Sequence, residues 1–341
     1  MQNALGPVHL APHPLAPREK RTGLSKTGDY REKYARQTVS KTGDHRRSRH
    51  LPVSRDQLVL LMVAINEVFL AVDIYLAHSV SGTIVPSEWI PIIFGSIAGA
   101  VMLVAGIIAF RCRPVATVIA NIVCGLSVAI GLLGSYFHWL RAILPYAPVG
   151  ERLTVSLLVW APPVLAPLTF SLVGVLGFLA AWLEEPAGSG RLRLPGGACL
   201  QLPLTKTRAY RLFIGLGILA TLISSVLDHA RTNFENPWLW VPTATGIFAT
   251  VVAVALSASP RPTRADLMTY GATMVALIVV GLVGAALHIQ ADLTSRSLFV
   301  PERFIRGAPF LAPLLFANMG TLGLITLLES GKSPLPLARE G

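Results

Sequence analysis

Charge is what this chain has least of. Only 14% of its 341 residues are Asp, Glu, Lys or Arg, while 52% are apolar, and the mean hydropathy is +0.58. An ordinary soluble domain is about a quarter charged, so that class is excluded. Cysteine is nearly missing: Cys112, Cys124 and Cys199 are the only three. They fall at an inner edge, inside an apolar run and in a linker, so no disulfide is expected. No C-x-x-C-H occurs, which excludes covalently attached c-type haem. There is also no P-loop, no H-E-x-x-H, no nucleophile triad motif and no Gly-rich dinucleotide turn. Hydrolase and nucleotide-driven functions therefore have no support. The short alternating strands of a membrane barrel are absent as well.

Long apolar runs are plentiful. A transmembrane helix needs about 20 mainly apolar residues, and eight segments qualify: 57–78, 89–110, 115–138, 155–183, 210–228, 239–258, 266–288 and 307–328. Backbone groups in lipid must be satisfied within each span, which makes these helices. The expected fold is an all-α polytopic membrane protein with eight transmembrane helices.

The chain repeats itself. His78, Pro86, Trp89, Ile90, Pro91 and Gly95 match His229, Pro237, Trp240, Val241, Pro242 and Gly246 at an offset of 151 residues. Gly131, Gly134 and His138 match Gly281, Gly284 and His288 at an offset of 150. Glu151 and Arg152 match Glu302 and Arg303, and Pro163, Pro167, Phe170, Gly174 and Gly177 match Pro309, Pro313, Phe316, Gly320 and Gly323. Internal repetition sets the architecture before local detail does. The expected organisation is a basic disordered cytoplasmic tail at 1–56, a four-helix repeat at 57–183, and a cytoplasmic linker at 184–209 without a motif. A second four-helix repeat follows at 210–328, then a cytoplasmic tail at 329–341. Four helices is an even number, so the repeats are parallel and related by a pseudo-two-fold along the membrane normal.

Most Lys and Arg fall in 1–56, 111–114, 184–211, 259–265 and 329–341. The positive-inside rule then places both termini in the cytoplasm of an inner (plasma) membrane protein. The net charge of +11 follows from this bias, so no nucleic acid partner is expected; the partner of the tail is anionic membrane lipid. Oligomeric state is left open.

Four histidines lie in the apolar part, and all four fall at the extracytoplasmic ends of odd-numbered helices: His78, His138, His229 and His288. One such histidine is acceptable at an interface without a role. Four matched ones, with no other in the spans, point to metal ligation, since imidazole is the commonest side-chain ligand. They suit haem b through bis-histidine ligation or a Cu or Fe ion. Gly134 and Gly284 lie one turn before His138 and His288 on the same face, and a flat macrocycle needs such a side-chain-free strip. Close helix packing uses the same glycines. Arg152 and Arg303 could hold haem propionates or an anionic substrate. Glu67, Asp73 and Asp228 are unduplicated acids near these histidines. The Trp89 and Trp240 motifs read as interfacial helix starts. Pro163, Pro167, Pro309 and Pro313 should break helices 4 and 8.

This pattern is broadly similar to that of membrane b-type cytochromes in ligand type alone. It departs from their commonest arrangement in placing every candidate ligand on one side. The leading reading is a histidine-ligated redox centre near the extracytoplasmic face, exchanging electrons with quinol or an extracytoplasmic partner. Two alternatives stand beside it: an ion or metal transporter using the histidine layer, and a structural or assembly subunit without chemistry. The orientation is directly testable. A reporter fused after Gly341 should be active only in the cytoplasm, and a tag beside Arg191 should be protected from outside; an externally accessible Arg191 would overturn the topology.

Overall fold

The computed structural model describes residues 53–80, 82–144, 146–293 and 299–328. The expectations for the two tails lie outside these, apart from the few residues leading into the first helix. Among the described residues, six helices are long and apolar enough to cross a membrane. They are α1 (Arg55–Val80), α2 (Pro86–Ala109), α3 (Arg113–Ala142), α6 (Lys206–Ala230), α7 (Trp240–Ala258, entered through a 3-10 turn at Pro237–Leu239) and α8 (Arg264–Asp292). The remaining helices are α4 (Val155–Trp160), α5 (Leu168–Ala181), α9 (Pro301–Arg306) and α10 (Leu311–Ile325).

The fourth and eighth apolar segments are therefore not continuous helices. α5 has 14 residues and α10 has 15, about 21–23 Å at 1.5 Å per residue. Proline explains the interruption. It carries no N–H and its ring clashes with the preceding turn, and Pro162, Pro163 and Pro167 crowd the junction of α4 and α5, as Pro309 and Pro313 crowd that of α9 and α10. The linker adds a small sheet to the otherwise helical fold. Residues Leu183–Glu184, Arg191–Arg193 and Cys199–Gln201 form β1, β2 and β3 of a small antiparallel sheet in the order β1-β2-β3.

The helices pair in the same way in both halves. α1 packs on α2, α2 on α3, α3 on α5, and α5 returns to α1; α6 packs on α7, α7 on α8, α8 on α10, and α10 returns to α6. Between the halves, α1 meets α10 while α5 meets α6. Small residues allow these approaches. A Cβ on Gly131 would stand 2.8 Å from the Pro167 carbonyl oxygen, and one on Gly281 would stand 2.8 Å from that of Pro313. A Cβ on Gly174 or Gly320 would likewise stand 2.5 Å from the carbonyl oxygen of Cys124 or Met274. Large apolar side chains instead point outward: Ile97, Ile107, Ile122, Leu132, Val251 and Leu282 are exposed. Small residues where backbones approach and large apolar side chains on the outer faces fit a lipid surrounding, where packing rather than hydrophobic burial joins helices.

A polar cluster ties the starts of α1 and α6. Lys206 is only 1% exposed. Its Nζ donates to Asp56 Oδ2 at 2.6 Å and to the Trp182 carbonyl at 2.6 Å. Tyr210 Oη donates to Asp56 Oδ1 at 3.1 Å, and Arg55 donates to Thr207 Oγ1 at 2.7 Å. A buried ammonium persists only when paired and hydrogen-bonded in this way. α1 and α6 thus begin at one end of the bundle, so their histidine-bearing C-termini share the other. Farther along, Asn318 Nδ2 donates to Asn66 Oδ1 across the same divide.

The close glycine contacts generate a measurable expectation. Gly281→Ala should lower stability by about 1–3 kcal/mol through overpacking, read as a lower Tm in mild detergent. Gly106→Ala should leave Tm nearly unchanged, because nothing lies within 4 Å of a Cβ there.

Candidate functional site: two histidine pairs

The proline breaks shape the site. Where a helix is interrupted, carbonyl oxygens lose their i+4 donors and need others, all the more in a membrane. Side chains of α3 supply two: His138 Nδ1 donates to the Pro163 carbonyl at 3.0 Å, and Ser135 Oγ donates to the Val164 carbonyl at 2.8 Å. In the second half His288 Nδ1 donates to the Pro309 carbonyl at 3.2 Å. Ser135 has no counterpart there, because Ala285 stands at the matched position. His78 Nδ1 donates to the Ile74 carbonyl one turn back at 2.9 Å. A carbonyl only accepts, so each of these three bonds places a proton on Nδ1.

The histidines meet in pairs. The rings of His78 and His138 are 6.2 Å apart between centroids with planes at 67°. Those of His229 and His288 are 6.4 Å apart with planes at 76°. All four side chains are half-buried. They do not form one four-ligand cluster: among the described residues no group of three or more His, Cys, Asp or Glu is placed to hold a metal ion. No family model, no curated protein and no solved structure matches this chain.

The glycine strips require a correction. Gly134 and Gly284 face not an open slot but the prolines of the broken helices. A Cβ on Gly134 would stand 2.8 Å from Pro167 Cβ, and one on Gly284 would stand 2.9 Å from Pro313 Cβ. They serve the approach of α3 to α5 and of α8 to α10. Arg152 donates Nε to the Ala147 carbonyl at 3.0 Å, and Arg303 donates to the Ala291 carbonyl at 3.1 Å. Both are exposed at the histidine end.

Sequence reasoning did not single out Glu88 and Arg141. Glu88 Oε1 lies 3.9 Å from His78 Nε2 and 3.4 Å from Arg141 Nη1. The matched position in the second half is Leu239, so no carboxylate stands at that place there. The signal was present, as Glu88 directly precedes the repeated Trp89. Asp228 pairs with Arg231 at 3.8 Å and is exposed. Trp89 approaches Tyr75 at 6.2 Å, while Trp240 stacks on Phe234 at 4.8 Å.

Glu67 sits deeper on α1 and is fully buried. Its Oε1 accepts from Ser127 Oγ at 2.6 Å, and its Oε2 has no hydrogen-bond partner. Ser127→Ala would leave both oxygens without a donor. That change should cost about 1–3 kcal/mol, read as a lower Tm in mild detergent; an unchanged Tm would show that the Ser127 contact does not support the carboxyl.

Proposed function

We propose that this chain is an inner-membrane redox protein with two bis-histidine centres, one in each of two tandem parallel four-helix repeats. The broken segments α4–α5 and α9–α10 complete the eight membrane crossings in this reading. The swapped contacts of α1 with α10 and of α5 with α6 support a pseudo-two-fold between repeats. The distribution of Lys and Arg supports cytoplasmic termini and an extracytoplasmic histidine layer.

One observation carries the reading: the ring separations of 6.2 and 6.4 Å. Two metal–nitrogen bonds of about 2 Å with about 1 Å from each nitrogen to its ring centre add up to about 6 Å, so each pair would hold a metal between its two rings. The Nδ1 bonds to backbone carbonyls are the support that ligating histidines commonly receive. They fix ring orientation and tautomer, so His78, His138 and His288 would present Nε2 without further ordering. Capping of the broken helices explains why His138 and His288 contact Pro163 and Pro309. It does not explain why His78 and His229 stand opposite them at ligation distance.

Ligand count favours haem b over a lone Cu or Fe ion. Haem would bring its own ring nitrogens, so two imidazoles would suffice to hold it. A lone ion ordinarily takes three or four protein ligands, and among the described residues no third His, Cys, Asp or Glu is grouped with either pair. When bound, such a centre supplies one-electron redox chemistry. The chain's own part is to hold and orient the imidazoles at one end of the bundle, where quinol or an extracytoplasmic protein can exchange electrons. Glu88 beside His78, with Leu239 at the matched place, would favour the more positive state of the first centre and give the two centres different potentials.

Protein purified in mild detergent should show a Soret band and about two haems per chain. His138→Ala and His288→Ala should each remove about half of the band while insertion persists. Colourless protein free of metal, or complete loss from either single variant, would overturn the two-centre assignment.

A further inference from the structure

At the end of the bundle opposite the histidines, two arginines are buried. Arg55, at the start of α1, is 3% exposed, and Arg211, in the second turn of α6, is 7% exposed. At an offset of 151 residues Arg55 and Asp56 match Lys206 and Thr207, and their contacts run crosswise. Lys206 Nζ donates to Asp56 at 2.6 Å, whereas Arg55 Nη1 donates to Thr207 at 2.7 Å. Lys206 thus meets a carboxylate across the seam, and its counterpart Arg55 meets a neutral hydroxyl. Asp56, already taken by Lys206 and Tyr210, lies 3.5 Å from Arg55 Nε. Arg211 has less. Its guanidinium lies 6.0 Å from the centre of the Tyr270 ring and within electrostatic reach of Arg55. Among the described residues no ion pair or hydrogen bond engages it. The Nε atoms of both arginines are sealed without an acceptor. Arg55 Nη2 and both Nη atoms of Arg211 also lack an acceptor among the described residues, but they are not sealed. Glu184 stands nearby and spends its Oε1 on the Lys206 and Gly190 backbone N–H groups. Arg55, Lys206 and Arg211 therefore outweigh Asp56 and Glu184, and buried charge without a partner is costly.

We infer that Arg55 and Arg211 hold one phosphoryl group between them, at the seam of the two halves. The unsealed Nη donors present guanidinium forks that suit phosphate oxygens. The anion supplies the partner that Asp56 gives Lys206 and that Thr207 does not give Arg55. Its charge offsets the positive excess. An anionic phospholipid headgroup and inorganic phosphate share this chemistry. Phosphatidylcholine brings a cation of its own to a site that is already positive, so it is disfavoured. The position matched to Arg211 is Leu60, so the second guanidinium stands on one side of the seam only. The site does not depend on metal binding by the histidine pairs.

The test uses the full chain in nanodiscs of equal parts phosphatidylglycerol and phosphatidylcholine. Native mass spectrometry after release into detergent counts the lipids retained. Phosphatidylglycerol should be kept over phosphatidylcholine by about tenfold, the scale of a hydrogen bond to a charged group. A second arm takes lipid-depleted protein and compares its Tm in sodium phosphate and in sodium chloride of equal ionic strength. A higher Tm in phosphate identifies the free ion as sufficient; a lipid preference without that rise identifies the headgroup as the occupant. Arg211→Gln should abolish whichever effect is seen. Arg55→Gln should do the same from the other helix, which covers the case in which one variant fails to fold. Arg111→Gln removes an exposed charge at the same end and should change neither readout, which separates the site from the general attraction of basic residues to anionic lipid. Absence of both effects in the unaltered chain, persistence of either in a folded Arg211 or Arg55 variant, or an equal loss in Arg111→Gln overturns the assignment.

Discussion

Backbone carbonyls left without donors at the proline breaks are the constraint on which the histidine end depends. Pro163 and Pro309 interrupt the fourth and eighth apolar segments, and in a membrane those carbonyls need partners from the protein. His138 and His288 provide them. The contact stops each imidazole from rotating and puts its proton on Nδ1. It also brings α3 against α5 and α8 against α10, where Gly131, Gly134, Gly281 and Gly284 remove the side chains that would hold the backbones apart. One local defect therefore fixes a ring orientation, a tautomer and a helix approach together.

The two halves share this device but not its surroundings. Ser135 gives the first break a second donor, and Ala285 gives the other none. Glu88 and Arg141 stand by the first pair, while the buried Asp292 belongs to the second half. Glu67 is buried in the first half, where the second has Ile218. The matched histidines therefore stand in unmatched electrostatic settings.

At the opposite end, Asp56 and Lys206 do a different job. A lysine with 1% exposure is stable there only because Asp56 and the Trp182 carbonyl take two of its protons. This joint, with Asn66 and Asn318 farther along the bundle, holds the start of one half to the start of the other. Polar contacts between helices are specific in lipid, where apolar surface has no preference for protein over acyl chains.

Periodicity and composition alone determined the membrane class, the long helices, the internal similarity and the four histidines, because each depends on residue type counted along the chain. The proline breaks were legible for the same reason, since proline lacks an N–H wherever it stands. Tertiary structure alone decided that the histidines meet as two pairs and that Gly134 and Gly284 face proline. It alone placed Glu88 beside His78, set Arg211 over the Tyr270 ring, and folded the linker into a small sheet. These depend on which helix faces meet and at what distance. Hydropathy cannot supply that, because in an apolar segment nearly every face is equally suited to lipid and to a neighbouring helix.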